Sequence, residues 1–106
     1  MNPRTKLLAS LLVAAAGVAA APAFAQEALA QKKNCLACHS IDKKVLGPAY
    51  KEVAAKYAGQ ADAVDKLAAK VVKGGTGVWG NIPMPANPQV SDAEAKQLVQ
   101  WILTLK

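Results

Sequence analysis

An all-α domain is the fold class this sequence predicts, and three features carry that prediction. Apolar residues recur at i, i+3, i+4 and i+7 in separate stretches, the spacing of one helix face. No stretch alternates apolar and polar residues as a half-buried strand does. One long segment, residues 74–90, is broken by four glycines and three prolines, so no regular element runs through it.

The chain begins with a segment that does not belong to that domain. Residues 1–6 carry Arg4 and Lys6 and no acid, residues 7–21 are apolar or small throughout, and Ala-Phe-Ala follows at 23–25. A basic start, an apolar run and an A-x-A end make up a secretory signal peptide. The run is shorter than the roughly 18–20 residues of a spanning helix, so no stable membrane insertion is expected. No cysteine follows the cut to carry a lipid. The expected division is a cleaved signal peptide, 1–25, and one domain, 26–106. That domain has 81 of the 106 residues and, without Arg4 and Lys6, a net charge of +4 instead of +6. A core of this size is marginal alone and calls for a staple such as a disulfide, a metal or a cofactor. A positive surface favours acidic partners. Nucleic acid is excluded as a partner, because Tyr50, Tyr57, Trp79 and Trp101 are not interleaved with basic runs.

Within the domain the elements follow in order. Residues 27–34 read as a short helix leading into a loop that holds both cysteines. Pro48 can open a second helix, with Tyr50, Val53, Ala54 and Tyr57 as its apolar stripe and Gly59 as its stop. Val64, Leu67, Ala68 and Val71 repeat the spacing in a third helix, ended by Gly74-Gly75. Ser91 with Glu94 forms a capping box for the last helix. Its apolar face is Ala95, Leu98, Val99 and Ile102, with Trp101 and Leu105 beside it. The helical stripes are small, rich in Ala and Val. The loop 74–90 is too apolar for a flexible linker, since it holds Trp79, Ile82 and Met84, and prolines stiffen it on both sides of Met84. Such a loop must pack on something, and part of the core is therefore expected not to be protein.

The residues 34–40, N-C-L-A-C-H-S, hold Cys35, Cys38 and His39, which are both cysteines and the single histidine of the chain. Three chemistries compete for this loop. A redox-active cysteine pair needs a βαβ setting, and no strand is visible. Structural zinc needs four ligands, and no second Cys/His pair exists. The third is c-type haem attachment, the reading of C-x-x-C-H. Each thiol adds to one vinyl group along one edge of the macrocycle, and the histidine after the second cysteine is carried under the ring to the iron. One large cofactor would supply both the missing core and the staple. Met84, in N-I-P-M-P-A-N, is the one methionine of the domain. It is the candidate for the iron's second axial position, since His/Met is a standard haem pair. The competing reading of Met84 is core packing.

With these residues in place the domain resembles the small class I monohaem cytochromes of Gram-negative bacteria, the cytochrome c-551 type. The resemblance runs over essentially all of 27–106. It rests on C-L-A-C-H at 35–39, L-G-P-A-Y-K-E-V-A at 46–54, G-V-W-G at 77–80, I-P-M-P at 82–85 and the last helix with Trp101. It implies the class I cytochrome c fold, all-α, with about four helices packed around one covalently attached haem c and the terminal helices crossing. It also implies roles for further positions. Pro48 offers its carbonyl to the free ring nitrogen of His39. Trp79 places its indole N–H near a haem propionate, with Lys70 as a charged neighbour in place of an arginine found in some relatives. Asn87 donates to the Met84 sulfur. The chain is one residue longer than its relatives between Met84 and Val90, which makes Gln89 a rival amide. Ala30 stands where some relatives have an aromatic.

The implied function is one-electron transfer through a six-coordinate His/Met haem in the periplasm, by a monomeric carrier and not an enzyme. Its expected partners are redox proteins: an upstream cytochrome donor and a downstream oxidase, nitrite reductase or peroxidase. The lysines form either a solvated surface or a docking field around the haem edge. The rival class is a haem sensor or peroxidase with an open sixth site, which rapid carbon monoxide binding by the ferrous form would reveal.

Overall fold

A computed structural model of the chain describes residues 23–106. Most of the expected signal peptide lies outside the described residues. Among these residues there are four helices, α1 (Ala23–Lys32), α2 (Tyr50–Tyr57), α3 (Ala63–Lys73) and α4 (Asp92–Ile102), with a short 3₁₀ turn at Cys35–Ala37. Among the described residues there is no strand beyond a single antiparallel bridge between Gly75 and Met84.

Two helix boundaries differ from the sequence reading. α1, described from Ala23 onward, ends at Lys32, two residues short of expectation. It stops because Asn34 takes a left-handed conformation, φ 65°, which asparagine tolerates better than most residues. That turn swings the chain into the 3₁₀ turn bearing Cys35. α2 begins at Tyr50 with Ala49 as its cap, so Pro48 stands just outside the helix and not at its first position. The Pro48 carbonyl is thereby free of the helical ladder, and His39 uses it. The first amides of α2 are not left orphaned: Tyr50 N donates to Ser40 O at 2.9 Å and Lys51 N to Ile41 O at 3.1 Å. These bonds tie α2 to the segment after the C-x-x-C-H motif.

The other boundaries follow their residues. Gly59 sits at φ 75° one residue past the α2 cap. Gly74 closes α3, its N–H reaching back to Lys70 O at 2.7 Å. At the start of α4, Ser91 Oγ accepts from Glu94 N while Glu94 Oε1 accepts from Ser91 N, both at 3.1 Å. A reciprocal cap of this kind contributes on the order of 1 kcal/mol.

The apolar stripes meet in one core. Tyr50, Val53 and Tyr57 of α2, Leu67 and Ala68 of α3, and Ala95, Leu98, Val99, Trp101 and Ile102 of α4 are all buried in it. α4 is central, packing on α3, α1 and α2. α1 and α4 each contribute a fully buried alanine, Ala30 and Ala95. No polar or charged residue among those described is buried.

Candidate functional site

One side of this core is open. A cavity of about 570 Å³ is bounded by the 3₁₀ turn, the start of α2, the inner face of α3, the loop 75–87 and Leu98, Val99 and Ile102 of α4. Its volume falls within the roughly 300–1,000 Å³ of small-molecule and cofactor sites. Cys35, Cys38, His39, Pro48, Lys70, Trp79, Met84 and Asn87 all line it. Residues far apart in sequence are thus brought to one space.

The cysteine end is built from local turns. Cys38 N and His39 N both donate to Cys35 O, at 3.2 and 3.1 Å, and Gly47 N donates to Cys38 O at 2.8 Å. The two thiols are half-buried and are not joined to each other. Burial pushes the Cys35 thiol above its ordinary range, offset in part by a hydrogen bond with Tyr50. Burial and the neighbouring cysteines likewise raise the Tyr50 phenol.

His39 is held on three sides. Its Nδ1 lies 2.8 Å from Pro48 O. A carbonyl only accepts, so Nδ1 carries the proton and Nε2 keeps a free lone pair. Its ring stacks on Tyr50, centroids 5.0 Å apart and planes 23° off parallel, and Tyr50 in turn meets Trp101 edge-on at 5.7 Å. The third side is Gly47. A Cβ there would come to 2.8 Å from His39 Nδ1, so only a bare Cα leaves the imidazole its place.

The Met84 end is a closed loop. Gly75 N donates to Met84 O at 3.0 Å, and Met84 N to Gly75 O at 2.8 Å. Asn87, expected to donate to the Met84 sulfur, directs its amide at carbonyls instead and fastens the far side: its N–H donates to Val72 O at 3.2 Å, and its Nδ2 to Val71 O at 2.8 Å and Pro85 O at 3.2 Å. Gln89, the rival amide, donates to Asn87 Oδ1 and to Lys33 O. Lys70 folds back over Gly75, where an added Cβ would meet its Nζ at 3.3 Å. Trp79 is part exposed, with the Lys56 Nζ 5.4 Å above its ring.

Two contributors escaped the sequence reading. Tyr50 is visible there as part of a stripe, with no sign that it backs the histidine. Gly47 is visible as a residue of L-G-P-A-Y, with no sign of what it makes room for. Lys56 is one of the surface lysines of that reading, and its place over Trp79 is added by the structure. Around the opening, Leu46, Val78, Trp79 and Ile82 line the cavity and remain exposed.

The chemistry of this donor set suits a large flat cofactor. The walls are mainly aliphatic, two thiols line the cavity, one imidazole nitrogen and one thioether are available, and Trp79 and Lys70 supply polar hydrogens. Among the described residues no three His, Cys, Asp or Glu side chains converge as a site for a bare metal ion.

An all-α fold wrapped around such a cleft, with C-x-x-C-H on its wall, defines a haem-attaching electron carrier. The chain belongs to the Cytochrome c family, whose profile matches residues 24–106. It is 61% identical over 97 residues to cytochrome c-552 of Hydrogenobacter thermophilus, covering 91% of this chain and 96% of that protein. It is 60% identical over 80 residues to cytochrome c-551 of Azotobacter vinelandii, covering 76% and 96%. The crystal structure of wild-type Nitrosomonas europaea cytochrome c552 superposes with a TM-score of 0.74 at 59% identity, over 76% of this chain and 99% of that one. This is a small class I monohaem cytochrome c, and its cofactor is one covalently attached haem c. Cytochromes c are electron carriers rather than enzymes.

Proposed function

We propose that this chain is exported and works as a periplasmic one-electron carrier with a six-coordinate His/Met haem. Residues 1–25 are the signal peptide and 26–106 the working domain. The start of the family match at residue 24 supports that division. Among the described residues no helix is long and apolar enough to cross a membrane.

The observation that carries the reading is the convergence of Cys35, Cys38, His39 and Met84 on one apolar cavity. Bound there, haem c supplies an iron that alternates between ferric and ferrous states. The protein's own residues do the rest. Cys35 and Cys38 hold the cofactor through thioethers. His39 would hold the iron through Nε2, its tautomer fixed by Pro48 and its ring steadied by Tyr50. Met84 would hold it through its sulfur, from a backbone pinned by Gly75. With both residues on the metal, substrate would have no access to it, and the thioether would favour the reduced state. Asn87 holds the Met84 segment in register with α3. Trp79 and Lys70 meet the propionates.

The partners are redox proteins, an upstream cytochrome and a downstream oxidase, nitrite reductase or peroxidase, met one at a time by a monomer. They dock where the apolar rim of Leu46, Val78 and Ile82 surrounds the opening.

Intact-mass measurement and a pyridine haemochrome spectrum of the periplasmic protein test this reading together. The expected result is the 26–106 chain plus one haem, with the spectrum of two saturated thioether links. Cys35→Ala or Cys38→Ala changes that spectrum or abolishes attachment. A bare polypeptide mass after correct export and maturation overturns the proposal.

A further inference from the structure

Gln89 joins two parts of the site that are remote in sequence. Its Nε2 donates to Lys33 O at 3.2 Å and to Asn87 Oδ1 at 3.1 Å. In return Lys33 Nζ donates to Gln89 O at 2.9 Å and pairs with Glu94 at 3.4 Å. Lys33 directly follows α1, and only Asn34 separates it from Cys35. Asn87 belongs to the loop that carries Met84. A reciprocal clasp therefore ties the cysteine turn to the methionine loop.

The Asn87 contact has a further effect. An asparagine side chain has one acceptor end and one donor end, and they exchange only by turning the amide over. A hydrogen from Gln89 at Oδ1 decides which end faces Gln89. Both Nδ2 hydrogens are then directed at carbonyls, those of Val71 on α3 and of Pro85. Pro85 has no N–H of its own, and it follows Met84 directly. The bond from Asn87 to its carbonyl is thus a restraint beside Met84.

We propose that Gln89 is a positioning residue for Met84. It fixes the orientation of the Asn87 amide, and through that amide it holds the Pro85 carbonyl and the adjoining Met84 against α3. The inference rests on Met84 being an axial ligand. It assigns Gln89 a task different from direct contact with the sulfur.

Three variants of the holoprotein separate this role from simple stapling of α1 to α4. Gln89→Leu removes the donor. Gln89→Glu keeps the shape but offers only acceptors, so Asn87 is driven to turn over, while Lys33 Nζ nearby can compensate the new charge and preserve stability. Glu94→Gln breaks the ion pair with Lys33 and leaves Gln89 intact. Two rates are read in each: hydrogen exchange of the Asn87 side-chain amide in the reduced protein by NMR, and displacement of Met84 by added imidazole in the ferric protein.

Both rates are expected to rise about three- to tenfold in Gln89→Leu and Gln89→Glu, the equivalent of one lost hydrogen bond, and to stay at the parent value in Glu94→Gln. Lower melting temperatures with both rates unchanged would overturn the proposal and leave Gln89 a structural staple. If the parent protein binds imidazole with no Met84 ligand to displace, the axial reading fails separately. Unaltered Asn87 exchange in the Gln89 variants would then still refute the orienting role.

Discussion

A Cβ on Gly74 would lie 2.6 Å from the carbonyl oxygen of Met84. The end of α3 and the methionine loop touch there backbone to backbone, with no room for a side chain. Gly74 also sits at φ 77° and ψ 178°, a region that is essentially reserved for glycine and costs another residue on the order of 1–3 kcal/mol. Strain and overlap act together in Gly74→Ala. The variant is expected to melt at least about 4–8 °C lower, the shift for 1 kcal/mol in a domain this small. It should also lose part of the sulfur-to-iron band of the ferric spectrum as the Gly75–Met84 bridge parts. Thermal unfolding followed alongside that band checks both halves. An unchanged band with a lowered melting point would show that the crossing serves stability alone.

Gly47 stands to His39 as Gly74 stands to Met84. Its φ needs no glycine, so the constraint is space alone: a Cβ would overlap the imidazole. Gly47→Ala is expected to tilt the ring away from Pro48 and weaken the 2.8 Å bond to its carbonyl. Because the cysteines are untouched, covalent attachment should survive, while the ring-proton shifts of His39 and the reduction potential move. Paramagnetic NMR and redox titration would read the change. Parent values for both would mean that the neighbouring backbone yields at no functional cost.

Glu94 gives a pH dependence with a definite sign. Its hydrogen bond from the Ser91 backbone, and the nearby Lys33, lower its carboxyl below the ordinary range. A carboxylate with a depressed folded pKa contributes stability that is present above its unfolded pKa and lost as pH falls through the folded value. The stability difference between the parent and Glu94→Gln should therefore be constant near neutrality. It should shrink once pH drops below the ordinary glutamate range. Denaturant unfolding of both proteins across the acid range tests this, and a difference that persists at the acid end would place the effect in the cap geometry and not in the charge.

What the sequence made legible is what local chemistry specifies. The Ser91–Glu94 box and the stripes of α2, α3 and α4 each depend on neighbours a few residues away, and each is found as read. C-L-A-C-H stood out by its spacing, and its two cysteines and histidine line the cavity. The apolar residues of the loop around Met84 called for a surface to pack on, and the loop bonds to the end of α3. The start of α2 was misplaced because Pro48 suits a first helical position equally well, and a distant partner, His39, takes its carbonyl instead. Tyr50 behind His39, Gly74 beneath Met84 and the Lys33–Gln89 clasp are contacts across the fold. No spacing rule encodes them, so they become visible in three dimensions alone.

The rim of the cavity mixes two kinds of attraction. Leu46, Val78 and Ile82 are exposed there, and Lys70 lines the same space, with Lys56 over Trp79. Apolar contact is insensitive to moderate salt, whereas attraction between exposed charges is screened over about 8–10 Å at physiological ionic strength. If the lysines steer docking onto an acidic partner, the association rate falls as salt rises, and Lys56→Gln and Lys70→Gln each flatten the slope. Stopped-flow electron transfer across ionic strength is the measurement. Rates that are flat or rise with salt would assign docking to the apolar rim alone.

Met84 carries the sharpest test. The proposed ligand set predicts that Met84→Ala keeps covalent haem, since Cys35, Cys38 and His39 are unchanged. The sixth position then fills with water or stays open. The reduction potential falls, because the thioether that favoured the ferrous state is gone, and carbon monoxide gains access to the ferrous form. The weak near-infrared sulfur-to-iron band of the ferric protein disappears. The backbone bonds between residues 75 and 84 do not need the side chain, so the loop should keep its path while exchanging its amide hydrogens faster. Spectra, redox titration and hydrogen exchange on one preparation give these readings. If the band and the potential both match the parent, Met84 is core packing. The 26–106 domain has no other methionine and no second histidine. The sixth ligand would then have to come from a lysine, an asparagine or water, and the carrier reading would lose its main support.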